Sequence, residues 1–257
     1  MARHESAMPD PRLYLDHALS AGARAPLDEG QSRKLTQVLR LKPGAGVRVF
    51  NARDGEWRAV LAPAGPRAFG VEIGARLRAP APTPDLDLLF APVKRDAVDL
   101  IVEKATELGV RRLRPVITAR TIAETARLER WALIARAAAE QTERFDLPEI
   151  AAPVALARAL GAWEAARPLI HADESGEVWG GAPAPPLLDA LAARPRPAGA
   201  AVLIGPEGGF TPEERRMLQA QPFVIPVSLG PRILRAETAV IAALSVVQAV
   251  WGDWRAH

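Results

Sequence analysis

Apolar residues recur at two different spacings along this chain, and the change between them divides it. In "RLYLD" (Arg12 to Asp16) apolar and polar positions alternate, which is the period of a half-buried strand. The stretch "GQSRKLTQVLRLKPG" predicts one short helix, with Leu35, Val38 and Leu39 on one face and Pro43-Gly44 at its end. Three strands follow, "GVRVFN", "EWRAVLA" and "AFGVEIG". Arg53-Asp54-Gly55 turns the first hairpin and Ala64-Gly65-Pro66 separates the next pair. Strands this short close into a barrel, so residues 1–77 predict a small β-barrel domain. "RAPAPTPD" (Arg78 to Asp85) has too many prolines for a strand interior or a helix, because each fixes φ and removes a donor. It predicts a linker over residues 78–85.

Beyond the linker the period changes. "LDLLFAPV" is an apolar strand. "KRDAVDLIVEKATELGV" is an amphipathic helix with Val98, Ile101, Val102, Ala105 and Leu108 on one face and Gly109 as its stop. "RRLRPVIT" completes a βαβ unit, so a parallel sheet follows. A long helix from about Ala126 to Phe145 and another near Ala155 to Ala165 lead to the strand "PLIHAD". A Pro/Gly/Ala-rich loop from Gly176 to Gly199 precedes the strand "AVLIG", a helix from Thr211, the strand "FVIPVSLG" and a last apolar helix to Trp254. This alternation predicts α/β architecture over residues 86–257 with helices on both faces of the sheet.

Composition narrows the function classes. The chain has 257 residues, 49% hydrophobic and 25% charged, as in an ordinary globular protein. It contains no apolar run long enough to span a bilayer, and its start is polar, so no membrane partner is expected and a cytoplasmic location fits. The absence of cysteine excludes disulfides, thiolate metal sites and a cysteine nucleophile, and no metal is expected. Net charge is only +3, yet the sequence pI is about 9.8. The two agree because the basic residues are mostly arginine; the lysines are Lys34, Lys42, Lys94 and Lys104 alone.

Two loops carry the chemistry. "LIGPEGGFTPEE" (Leu203 to Glu214) reads as strand, tight turn and helix start. It lacks the lysine of a phosphate loop, and its glycines, Gly205, Gly208 and Gly209, do not match a dinucleotide fingerprint. Glu207 would repel a pyrophosphate. Thr211 is placed as N-cap, Pro212 as the first helical residue and Glu214 as the capping-box partner, so the helix start is occupied by its own side chains. A turn alone would account for these glycines. The second loop, "SLGPRILRAETA" (Ser228 to Ala239), changes the balance. It sets Arg232 and Arg235 around the apolar pair Ile233-Leu234 and opens a helix with Glu237-Thr238. Two Gly-Pro loops after two strands are expected side by side at the carboxyl edge of a parallel sheet, where α/β proteins bind ligands. Their backbone and the Ile-Leu pair suit a flat, mostly uncharged group such as adenine, and Glu207 suits a cation. A nucleoside bearing a positive sulfonium fits that inventory.

These two segments closely resemble the paired C-terminal motifs of the RsmE family, the 16S ribosomal RNA (uridine-N3)-methyltransferases of the SPOUT class. "KRDAVDLIVEKATELGVRRLRPVITAR" resembles that family's first βαβ unit. "AAAEQTERFDLPEI" resembles its Glu-Gln-x-x-Arg segment through Glu140, Gln141 and Arg144, and "VLRLKPG" its N-terminal domain. The resemblance implies a PUA-like β-barrel followed by a SPOUT domain with a C-terminal trefoil knot. It also implies a homodimer, and S-adenosylmethionine held by the knot loops. On this chain those loops supply Leu203, Gly205, Pro206, Glu207, Gly208, Gly209, Leu229, Gly230, Ile233, Leu234 and Thr238. The end of "PLIHADES" is the third loop, where His171, Asp173 and Glu174 match loosely.

The implied reaction is methylation of uridine N3 in 16S rRNA on the assembled small subunit. It needs loss of the N3 proton and a cation to stabilise the charge that spreads onto O2 and O4. Arg235 is the candidate, with Arg232 the alternative and Glu237 as its orienter or a helix cap. His4, His17 and His257 lie near termini or strand ends, and His171 reads as a structural histidine. Arg33, Lys34, Arg40 and Lys42 cluster around the N-terminal helix as RNA contacts, extended by Arg12, Arg95 and Arg144. Competing readings are a SPOUT methyltransferase with another target, a non-catalytic RNA-binding assembly factor, and a nucleotide-binding α/β protein.

Overall fold

The computed structural model describes residues 10–66, 68–121, 126–173, 178–179 and 182–254. Contacts divide the chain into two compact units, Met1–Pro82 with Ala139–Asp146, and Thr83–Ala138 with Leu147–His257. Residues 139–146, which the sequence reading leaves in the second domain, thus belong with the first.

In the first unit β1 (Arg12–Tyr14), β2 (Arg24–Pro26), β3 (Gly46–Asn51), β4 (Gly55–Pro63) and β5 (Phe69–Arg78) form one sheet in the order β1-β3-β4-β5-β2. Alternate positions, Leu13, Val47, Val49, Ala59, Leu61, Val71 and Ile73, face a single core, as the period-two pattern requires. Among the described residues no ladder joins β1 to β2, so hydrogen bonds do not close the expected barrel. Arg78, assigned to the linker from its prolines, ends β5 instead and pairs with buried Glu56.

The helical stretch starts earlier and ends differently than its sequence predicts. Asp28 and Gln31 form a reciprocal capping box around α1 (Glu29–Arg33), with the Gln31 amide N–H donating to Asp28 Oδ1 at 2.7 Å. The helix then widens into a π turn over Lys34–Val38, and Arg40 adopts φ +55°. Wider winding keeps Leu35 in the core but rotates its supposed neighbours off that face, leaving Val38 69% and Leu39 38% exposed.

The second unit is a parallel sheet built from β6 (Leu86–Phe90), β7 (Arg112–Ile117), β8 (Glu149–Ile150), β9 (Val154–Ala155), β10 (Leu169–Ala172), β13 (Ala200–Ile204) and β14 (Val224–Val227). Its order is β14-β10-β13-β6-β7-β8, with β9 also on β7. Helices α2 (Arg95–Glu107), α3 (Leu128–Gln141), α5 (Leu187–Ala192) and α7 (Ala236–Val250) contribute to the core on one face; α4 (Leu156–Gly161) and α6 (Pro212–Gln219) cover the other. Ala200, Val202 and Ile204 face the first core and Ala201 and Leu203 the second, so β13 is buried on both sides, as parallel strands are. Buried Gln248 of α7 donates to Leu108 O at the end of α2 at 2.5 Å and fixes these helices together. At the amino edge, Asp85 and fully buried Asp87 bind Arg112 and Arg167. The expected structureless loop at 176–199 contains a short hairpin, β11 (Val178–Trp179) with β12 (Ala182–Pro183), and helix α5. No helix among the described residues is long and apolar enough to cross a membrane.

Candidate functional site

Strand order determines what surrounds the two Gly-Pro loops. They are not neighbours. β10 lies between β13 and β14, so the end of "PLIHAD" separates them at the carboxyl edge. The Asp173 amide N–H donates to Val227 O at 2.9 Å, fixing this residue beside the end of β14. Its carboxylate, in a residue only 9% exposed, accepts from Trp179 Nε1 at 2.6 Å.

Behind Gly205 the chain turns at once. The Gly209 amide donates to Pro206 O at 2.8 Å, and a Cβ on Gly205 would stand 2.7 Å from the Phe210 ring, which fills that space. α6 then starts as its sequence predicts. The Thr211 amide donates to Glu214 Oε2 at 2.9 Å, and the Glu214 amide donates to Thr211 Oγ1 at 3.3 Å. The second loop leaves β14 through Ser228, whose hydroxyl accepts from the Gly230 amide at 3.1 Å. Gly230 has φ +105°, a conformation that excludes a side chain at little cost only for glycine.

Together the three strand ends line an open pocket. Its walls are Ala172, Asp173, Ile204, Gly205, Pro206, Glu207, Leu229, Gly230, Arg232, Ile233, Leu234, Ala236 and Ala239. The apolar walls suit a heterocycle, two carboxylates suit positive groups, and Arg232 suits an anionic one. Ile233 is 85% exposed, an aliphatic side chain held in water at the rim. This donor set fits S-adenosylmethionine, which carries an adenine, a sulfonium, an ammonium and a carboxylate.

Other expected residues lie elsewhere. Leu203 faces the opposite core, because side chains alternate along β13 and Ile204 takes the pocket side. Gly208, Gly209 and exposed Thr238 are outside the pocket wall. Arg235 and Glu237 line an adjoining cleft with Lys94, Asp96, Ala97 and Leu100, and Glu207 borders both cavities. Among the described residues Arg235 and Glu237 form no ion pair, and Arg235 is the N-cap of α7 without a side-chain cap bond. Glu237 stands in the first turn of α7. Ala172, Ala236 and Ala239 join the wall without being singled out in the sequence, and Asp173, only a loose match in the third loop, joins it with them. Their signal is topological: Asp173 directly follows the strand between the two loops. Glu174, His4 and His257 lie outside the described residues.

His171 is fully buried, packed edge-on to Phe210 at 5.1 Å between ring centroids and tilted against Trp179 at 5.5 Å. Neither ring nitrogen has a hydrogen-bond partner among the described residues. Burial lowers its pKa to about 4, Asp173 opposing and Arg215 reinforcing the shift. It is neutral at pH 7 and faces the core opposite the pocket.

The first unit separates the basic residues into two groups. Arg33, Arg40 and Lys42 are exposed, and their side chains make no bond among the described residues. Arg12 is only 4% exposed. It donates to Ala139 O at 2.6 Å and Arg144 O at 2.7 Å, pairs with Glu56 at 3.4 Å, and lies over the Phe50 ring. Burial lowers its pKa to about 10 against the opposing pull of Glu56. Lys34 is bound to Glu140 at 2.5 Å, and Arg144, with its side chain 9% exposed, to Asp146 at 2.9 Å. Arg12 and Lys34 thus tie residues 139–146 to the rest of the first unit, and Arg144 pairs within that segment, so all three expected RNA contacts already have partners in the fold. In the second unit Arg95 is exposed at the start of α2.

Residues 79–248 match the family described as RNA methyltransferase domain, and residues 27–73 match the RNA methyltransferase PUA domain. The chain is 33% identical to ribosomal RNA small subunit methyltransferase E of a Synechocystis species, over 89% of this chain and 74% of the relative. It is 29% identical to the protein of the same name from Rickettsia conorii, covering 92% and 94%. Among solved structures, a Legionella pneumophila methyltransferase in complex with S-adenosylmethionine superposes with TM-score 0.81 at 30% identity, over 94% of this chain and 98% of that one. The Neisseria gonorrhoeae ribosomal RNA small subunit methyltransferase E bound to the same molecule gives TM-score 0.81 at 29% identity, over 95% and 99%.

Proposed function

The chain belongs to the RNA methyltransferase family that includes ribosomal RNA small subunit methyltransferase E, and on that premise we propose that it methylates N3 of one uridine in 16S rRNA with S-adenosylmethionine. The observation that carries this reading is the three-loop pocket, where Asp173 and Glu207 face a space walled otherwise by small and aliphatic side chains. When bound, S-adenosylmethionine supplies an electrophilic methyl on a positive sulfonium.

The protein's residues account for the rest. Glu207 and Asp173 favour the positive groups, and Arg232 reaches the anionic end. Gly230, with open space where a Cβ would stand, allows close backbone approach to the ligand. Glu207 and Arg235 share the adjoining cleft, so that cleft is where the uridine base enters beside the methyl. As N3 loses its proton, charge spreads onto O2 and O4, and the Arg235 guanidinium stabilises it. The absence of cysteine supports N3 over C5, because C5 methylation commonly proceeds through a thiolate adduct.

We assign the second unit to the SPOUT class with its C-terminal segment in a trefoil knot. The insertion of β13 between β10 and β6, with β14 returning outside β10, supports that assignment. A homodimer is supported by Leu100 of α2 and Ile241 of α7, both left 36% exposed on helices that pack together. An rRNA substrate supports a cytoplasmic location and action on the small ribosomal subunit. Exposed Arg33, Arg40 and Lys42 provide phosphate contacts on the PUA-like unit. The division of labour is tested with Arg235→Ala and Arg232→Ala. Arg235→Ala should lower kcat about 100-fold or more while S-adenosylmethionine binds normally; Arg232→Ala should weaken binding first. Normal turnover by Arg235→Ala would remove it from the reaction.

A further inference from the structure

The pocket-lining part of the Gly205–Gly209 turn is braced from outside by a segment that no site assignment includes. After β7 the chain makes a tight turn, with the Thr118 amide donating to Thr121 Oγ1 at 2.9 Å. From this turn the Ala119 amide donates to Glu214 Oε1 at 2.7 Å, so the capping glutamate of α6 serves two partners. The next residue, Arg120, donates from Nη1 to Gly208 O at 2.5 Å. Its aliphatic stem also covers the glycine: a Cβ built on Gly208 would meet Arg120 Cδ at 3.4 Å and Cβ at 3.6 Å.

We propose that Arg120 is a positioning residue for the cofactor loop, acting through the Gly208 carbonyl to set where Glu207 stands between the pocket and the adjoining cleft. Gly208 O lies one residue beyond Glu207, at the outer apex of the turn. The Pro206–Gly209 hydrogen bond closes the turn around Glu207 and Gly208, and the Thr211–Glu214 cap starts the helix after it, but neither ties the Gly208 carbonyl to the rest of the fold. With Gly205, Gly208 and Gly209 in and beside it, the closed turn can still pivot as a whole, so its own bond does not fix where it stands against the pocket. A charged donor fixed to its carbonyl does. Arg120 touches neither cavity wall, so its effect is indirect. Bracing the loop serves any ligand that uses its backbone, charged at sulfur or not, whereas Glu207 distinguishes the sulfonium.

This inference rests on reading the pocket as the S-adenosylmethionine site. The test is calorimetric titration of the full chain with S-adenosylmethionine and S-adenosylhomocysteine, well below the unfolding transition. Arg120→Met keeps the stem over Gly208 and removes the donor; Arg120→Lys keeps the charge. Arg216→Gln, at an exposed pair on α6, is the control. Arg120→Met should weaken both ligands about tenfold and raise the KM for S-adenosylmethionine more than it lowers kcat. Arg120→Lys should recover part of the loss, and the control should match the wild type. Unchanged affinities in Arg120→Met, with or without a lower unfolding midpoint, overturn the proposal and leave the pocket assignment intact. So does a flattened salt dependence of RNA binding with unchanged cofactor affinity, which would make Arg120 a phosphate contact. Failure of the wild type to bind either ligand overturns both.

Discussion

Replacing His171 with phenylalanine should remove a pH dependence from the protein's stability. The imidazole lies fully buried between Phe210 and Trp179 with no partner for either nitrogen among the described residues, and burial lowers its pKa from 6.5 to about 4. In the unfolded chain the same group binds a proton near pH 6.5. Between these values the unfolded state holds a proton that the folded state refuses, so stability falls as pH drops. The gap corresponds to about 3 kcal/mol when complete, and to about 2 kcal/mol between pH 7 and pH 5. Carboxylates titrate in the lower part of this window too, so the informative quantity is the difference between wild type and His171→Phe, which keeps a ring in the same aromatic stack. Urea unfolding of both proteins at pH 7, 6 and 5 measures it. The wild type should lose about 2 kcal/mol more than the variant between the ends of that range. Parallel pH profiles would show that His171 finds a proton acceptor or solvent on folding, and would refute the reasoning from burial.

Two further outcomes follow from the site and the basic surface. Glu207→Gln should weaken S-adenosylmethionine roughly three- to tenfold and leave S-adenosylhomocysteine nearly unchanged, because only the former carries the sulfonium charge; calorimetry with both ligands reads this directly. Reversing Arg33, Arg40 and Lys42 to glutamate should weaken RNA binding and flatten its salt dependence, whereas Lys34→Met should leave the salt slope unchanged and instead lower stability, since it leaves buried Glu140 with the Tyr14 amide but without its cation.

Local signals in this chain were legible and non-local ones were not. The Thr211-Pro212-Glu214 start of α6 depends on residues three apart, and it forms as read. The apolar stripe of α2 likewise buries Val98, Ile101, Val102 and Ala105. The order of strands is different in kind. Nothing local to "AVLIG" or "FVIPVSLG" states that β10 runs between them, and that placement brings Asp173 into the pocket. Arg12 misled for a related reason. Alternation places its side chain on a strand face, but its burial comes from residues 139–146, more than a hundred positions away. Arg120 is hidden in the same manner, since its partner Gly208 is 88 residues distant. The π turn defeated the helical period by widening it, which exposed Val38. α5 was masked by the prolines around it, although Leu187, Ala190 and Leu191 carry a helical spacing.

The central claim is the identity of the product, and nucleoside mass spectrometry of 16S rRNA from cells lacking this gene tests it most directly. The account predicts the loss of one 3-methyluridine, restored by the wild-type gene and not by Arg235→Ala. An unchanged 3-methyluridine content, or the loss of a different methylated nucleoside, would contradict it.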